Sequence, residues 1–212
     1  MTNPLTIKNG ILKSCDRNAQ GQIAIPNSVT KIGWIAFCGC TGLTSINIPN
    51  SVTEIGNGAF SGCTGLTSIV IPDSVTKIED HAFEDCTGLT SIEIPNSMKE
   101  IGNGAFAGCT GLTSIDIPNS VTKIEDHAFW DCADLTSIEI PNSMKEIGNG
   151  AFYGCTGLQE IHCRVEHPGE VVWGRYWDSF EDIVTLYVPI GTGYEYRHHP
   201  RFQGFKEIVI EK

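Results

Sequence analysis

The sequence predicts a solenoid, one elongated and mainly β domain wound from stacked parallel coils, and three observations carry that prediction. Proline recurs at Pro26, Pro49, Pro72, Pro95, Pro118 and Pro141, and cysteine at Cys40, Cys63, Cys86, Cys109, Cys132 and Cys155, both with a period of 23 residues. A fixed period of this size marks stacked repeats. Between these marks the apolar positions are constant, I-P-x-S-V/M-x-x-I-x-x-x-A-F-x-x-C-x-x-L-x-x-I-x-I. Glycine is abundant, 23 in 212 residues, as suits a chain that turns a tight corner in every coil.

The first 25 residues break the period but end in the repeat's own phrase, Gln22-Ile23-Ala24-Ile25-Pro26. They read as an amino-terminal cap, because the first coil must close an open core end with atypical residues. Asn9-Gly10 predicts a two-residue hairpin turn inside it. Residues 26–161 make six repeats. In each, the segment equivalent to Leu43–Ile48 alternates apolar and polar positions and predicts a half-buried strand, ended by the proline. Stacked at the repeat interval, these strands must run parallel, about 4.8 Å apart. A second short extended piece follows, with the Val29 and Ile32 positions inward, then a turn or short helix through A-F-x-x-C. Asn57, Asp80, Asn103, Asp126 and Asn149 share the slot before that turn and read as its N-caps. Trp34 is the exception. Residues 162–212 hold a drifted last repeat, with Ser179-Phe180 for Ala-Phe and Thr185–Pro189 for the strand, a closing strand at 206–210, and aromatic bulk at Trp173, Tyr176 and Trp177 that seals the core.

A second period overlies the first. Residues 74–115 and 120–161 agree at 36 of 42 positions, so two-coil units were copied as blocks. Two of the six differences, Glu84 against Trp130 and Ala107 against Tyr153, fall in one column outside the core.

The totals exclude several function classes. Fourteen basic against 25 acidic residues leave a net charge of −11, the wrong sign for a phosphate-backbone partner. No run approaches the roughly 18 apolar residues of a membrane span, and the opening MTNPLTIKNGILKSC lacks the apolar core of a secretory signal. Six of nine cysteines occupy one repeat position, which predicts buried free thiols packing as small hydrophobes. Cys15, Cys38 and Cys163 lie outside that column and are candidates for reactivity. No G-x-S-x-G elbow, phosphate loop or H-E-x-x-H pair is present. No enzyme activity, cofactor or metal site is expected.

The phrase LTSIxIPxSVTxIGxxAFxGC resembles the BspA-like class of leucine-rich repeats, and Leu43-x-x-Ile46-x-Ile48 fits its general L-x-x-L-x-L frame. NGILK…IAIP and TLYVP…FKEI are similar to that family's two caps. The resemblance implies a curved, right-handed solenoid with a parallel sheet on its concave side and short strands or helical turns on its convex side. It implies a non-enzymatic protein-binding module, adhesin-like, secreted or at the cell surface. A cytoplasmic location stays open, because the opening segment carries no signal. A structural spacer or self-assembly module without a dedicated ligand is the alternative function.

Two candidate surfaces emerge. The solvent-facing position between the strand isoleucines runs Asn47, Val70, Glu93, Asp116, Glu139, His162. Three adjacent carboxylates repel each other in a sheet, so they point to a basic protein or peptide ligand, against the alternative of a merely wet face. Trp130 and Tyr153, side by side in adjacent coils, form an aromatic flank fit for a binding hot spot, unless the end cap covers them. The Asp80-His81 and Asp126-His127 pairs lie two coils apart, about 9.6 Å, too far to share a metal. His198-His199 reads as loop.

Overall fold

Every coil lays down two short strands, one in each of two sheets. Only two stretches of the repeat can alternate inward and outward side chains before a proline or a tight turn interrupts them. The computed structural model describes residues 3–176 and 184–211. The longer strands, Gly21–Ala24, Leu43–Asn47, Ser68–Val70 and Ser91–Glu93, pair in parallel. The run continues through Ser114–Ile115, Ser137–Ile140, Glu160–Cys163, Thr185–Val188 and Glu207–Ile210. A parallel bridge between Glu93 and Asp116 joins the two runs into one front sheet. Equivalent residues face each other throughout the repeats, as Ile46 does Ile69. The identity of the coils leaves no other register that buries the same face.

The short strands build a back ladder through Lys31–Ile32, Glu54–Ile55 and Lys77–Ile78, then Glu100–Ile101, Lys123–Ile124, Glu146–Ile147 and Val172–Trp173. Between the two sheets the stretch through Ala-Phe-x-x-Cys is a succession of turns. The predicted cap hairpin is present: Leu5–Lys8 and Ile11–Cys15 pair antiparallel about Asn9 and Gly10, whose φ values of 52° and 72° are those of a primed turn. Ile11–Cys15 also pairs in parallel with Lys31–Ile32, so the cap prolongs the back ladder while Gly21–Ala24 begins the front sheet.

The core is a set of columns. Phe37, Phe60, Phe83, Phe106, Phe129 and Phe152 stack face to face at centroid spacings of 5.0 to 5.4 Å. Cys63, Cys86, Cys109, Cys132 and Cys155 each donate their thiol to the carbonyl of the phenylalanine one coil earlier, at 3.1 to 3.2 Å. All nine cysteines are free. Threonines do the same outside, Thr67, Thr90, Thr113 and Thr136 each bonding the threonine carbonyl of the preceding coil. Side-chain hydrogen bonds thus tie coil to coil.

Three expectations need correction. The Asn/Asp column does not cap its own turn, since no helix forms there. Asp80 Oδ1 accepts the amide of Asn103 at 3.1 Å, and Asp126 Oδ1 that of Asn149 at 2.6 Å. The acceptor serves the next coil because the turn's own amides already bond to neighbouring carbonyls, as His81 N does to Asn103 O. His198 is not loop, since it ends the short helix Gly193–His198, whereas His199 does stand in the link before the 3-10 turn Pro200–Phe202, its ring accepting from Arg201 N. Cys15 and Cys163 are not poised thiols, because both are buried and burial raises them to about 12 and about 11. At the carboxyl end Trp173 packs edge-on against Phe202, beside the buried Tyr196 and Phe205. Ser179-Phe180 and Trp177 lie outside the described residues.

Candidate interaction surfaces

The strip on the front sheet is where alternation puts it. Asn47, Val70, Glu93, Asp116 and Glu139 project outward from neighbouring strands between buried isoleucines, and Val70 is 68% exposed. The strip divides in two. Glu93 and Asp116 face each other across the bridge and have no ion-pair partner among the described residues. Glu139 is bound twice by Arg164, Nε to Oε1 at 3.2 Å and Nη2 to Oε2 at 3.3 Å. Arg164 also pairs with Glu211, and Glu211 Oε1 lies 2.6 Å from Nδ1 of His162. The His162 ring stacks on Tyr187 at 4.5 Å, its register partner. Four members of the original strip therefore fall into three kinds: two open carboxylates, one held carboxylate and one half-buried histidine. Arg164 takes the repeat's proline position and Tyr187 and Glu211 lie beyond the strict period, so the repeating columns do not signal these contacts. A shallow depression of about 330 Å³ runs over Ser114, Asp116, Ser137, Glu139 and His162.

The back ladder holds a feature that sequence reasoning passed over. Its exposed column alternates Lys31, Glu54, Lys77, Glu100, Lys123, Glu146, a sign change at every coil. Lys31 Nζ is 2.5 Å from Glu54 Oε1, and Lys123 lies 3.6 Å from both Glu146 and Glu125. Lys77 turns instead to Glu79 at 2.7 Å. The hydrogen bond and charge of Glu79 hold the Lys77 ammonium above its ordinary range, as the charge of Glu125, then Glu146, does for Lys123. The alternation is plain in the sequence once the two-coil copy is aligned.

The aromatic flank is a ladder of rings. Trp130 stacks on Tyr153 at 4.4 Å, Tyr153 meets Tyr176 edge-on at 5.9 Å, and His127 meets Trp130 edge-on at 4.9 Å. Tyr153 and Tyr176 stay exposed, at 40% and 58%, so the end cap does not bury the flank. The indole N–H of Trp130 donates to Asp131 at 2.9 Å, which fixes the ring's orientation. The backbone explains the spacing. His81 and His127 adopt φ of 55° and 57° where Gly58 and Gly104 stand in the alternate coils at 57° and 55°. A methyl on Gly104 would come within 2.7 Å of His81 Nδ1, so each bulky coil leans over a small one.

Among the described residues no group of three or more His, Cys, Asp or Glu could hold a metal ion, and no helix is long and apolar enough to cross a membrane. Burial also pushes up the column thiols, Cys86 to about 12 and Cys109 well above the ordinary range.

A family signature described as BspA type leucine-rich repeat region, in six copies, matches residues 6–134 and 76–168. A leucine-rich repeat protein of T. pallidum (TpLRR) is 34% identical, with a TM-score of 0.70 and 77% of each chain covered. A leucine-rich repeat protein of Bacteroides ovatus is 26% identical with a TM-score of 0.58, covering 98% of this chain and 67% of that one. A leucine-rich cell surface protein of Faecalibacterium prausnitzii shares the fold at 24% identity and a TM-score of 0.59, over 97% of this chain and 70% of its own. No curated protein matches the chain.

Proposed function

Because the chain belongs to the BspA-type leucine-rich repeat family, we propose that it is a non-enzymatic binding scaffold, displayed at a cell surface, whose front sheet takes up a basic polypeptide segment. The observation that carries this reading is the open pair Glu93 and Asp116. Like charges directly opposite one another weaken a sheet by a few tenths of a kcal/mol to about 1 kcal/mol. Glu139, one strand further along, has a bidentate arginine, whereas Glu93 and Asp116 have no counter-ion among the described residues. A scaffold built for stability alone gains nothing from that pair. A partner's lysine or arginine supplies the missing charge, and the surrounding excess of acid, net −11, steers it in.

The test is capture of lysine- and arginine-rich peptides on immobilised protein at physiological salt. The Glu93→Gln/Asp116→Asn double variant should weaken capture by at least about tenfold, while its melting temperature holds or rises. Glu139→Gln should weaken it less, since Arg164 already occupies that carboxylate. Equal capture by the double variant and the parent would remove the front sheet as the site.

A further inference from the structure

Outside the front sheet, one column changes in every coil: Cys38, Ser61, Glu84, Ala107, Trp130, Tyr153, six different residues in six copies, beside an Ala-Phe pair that never changes. Identical copies drift most where the core does not constrain them, but here the drift has produced a defined slot. Trp130 leans away from Ala107, one face stacked on Tyr153 and its ring over Gly150. The other side of the ring lines an open depression of about 300 Å³, with Gly104 and Ala107 as its floor and His81, Glu84 and His127 at its margins.

We infer that this slot receives a single arginine side chain of a polypeptide partner, its guanidinium flat on Trp130 and its N–H groups directed to Glu84. Glu84 and Trp130 stand two coils apart, about 9.6 Å along the stack. That span admits one planar group in contact with the indole at about 3.5–4 Å and leaves its edge within reach of a carboxylate. The acceptor is present. Glu84 is half-exposed and only loosely engaged, its Oε1 3.5 Å from His81 Nδ1. His81 Nδ1 is turned inward against Gly104, buried and without a hydrogen-bond partner, so the ring leaves the Glu84 carboxylate open to a guest. An aromatic face and a two-oxygen carboxylate around a space one group thick match a guanidinium, which stacks and forks at once, better than an ammonium. In coil 26–48 and coil 49–71 the same column carries Cys38 and Ser61 with no aromatic wall, so the slot occurs at one place among the described coils.

The inference rests on the protein-binding reading only in taking the guest to be part of a polypeptide, and it uses a different surface. The probe is the capped tripeptide Gly-Arg-Gly, with Gly-citrulline-Gly and Gly-Lys-Gly as controls, titrated into the full chain while the indole N–H resonance of Trp130, assigned from Trp130→Phe, is followed. The arginine peptide should shift that resonance saturably and bind at least about tenfold more tightly than the citrulline peptide, with lysine between. Glu84→Gln and Ala107→Tyr should each weaken it by at least about tenfold. Ala107→Tyr repeats the residue that the equivalent coil already carries at Tyr153, and unchanged melting temperatures certify that both variants fold. Equal binding of arginine and citrulline peptides, or binding unmoved by both variants, overturns the slot. The Glu93→Gln/Asp116→Asn variant separates the two surfaces: it should keep the Trp130 shift, and loss of the shift in that variant overturns the slot in favour of diffuse attraction by the acidic face.

Discussion

At the residue scale the cysteines show how one side chain can serve packing and hydrogen bonding together. From Cys63 onward each column thiol fills the space behind a phenylalanine and donates to that residue's equivalent one coil back. In the folded chain burial raises the thiol, Cys86 to about 12 against an ordinary 9.0. The neutral form is the one the fold prefers. Stability from these groups is therefore complete below about pH 9 and is lost as pH rises from there toward 12, because the unfolded chain releases protons that the folded chain keeps. Each such thiol should subtract roughly 1.4 kcal/mol per pH unit across that window. Urea midpoints measured at pH 8 and pH 10.5 check this, and a Cys86→Ala/Cys109→Ala variant should show a shallower fall. The slot residues belong to this scale too. Glu84 and Trp130 are visible in the sequence as odd copies, but their meaning depends on Ala107, whose smallness matters only once its neighbours stand on either side.

At the element scale the back ladder is the informative part. Two-residue strands contribute little backbone pairing, so their exposed side chains carry more weight than in the front sheet. Glu54 sits between Lys31 and Lys77 in register. Glu54→Lys should cost about 1 kcal/mol by placing three cations in a row and breaking the Lys31 pair, and about 1 M salt should recover much of it. Thr53→Lys is the control, because that column already holds Lys99 and Lys145. It should leave the melting temperature within a degree or two. The turns between the sheets could not be derived from propensity. Asn or Asp before a helix-compatible stretch reads as a cap, yet the amide it satisfies lies in the next coil, a partner that no local rule names.

At the scale of the whole molecule the structural unit is the coil pair rather than the coil. Lysine faces glutamate, and histidine faces glycine, only when odd and even coils alternate. Deleting residues 97–119, one coil, would set Lys77 beside Lys123 and His81 beside His127. Deleting 74–119, two coils, restores the alternation. If coil stabilities simply added, the one-coil deletion would lie midway between the parent and the two-coil deletion. It should instead fall at least about 2 kcal/mol below that midpoint in urea denaturation, from like charges and crowding at the new junction. A value on the line would show that the alternation is an accident of copying. The acidic excess also acts at this scale, favouring basic partners for both proposed surfaces without choosing between them.

Periodicity alone determined the solenoid, its parallel strands and the buried columns at Phe37, Cys40 and Ile46, because each follows from short-range spacing repeated at a constant interval, and the hairpin at Asn9-Gly10 followed from local turn chemistry outside the period. Tertiary structure decided the rest: that Arg164 and Glu211 close over Glu139 and His162, that Asp80 caps a neighbouring coil, and that Ala107 opens a space beside Trp130. Those outcomes depend on which side chains meet across coils or past residue 162, where the period ends. Distance along the chain then no longer measures distance in space.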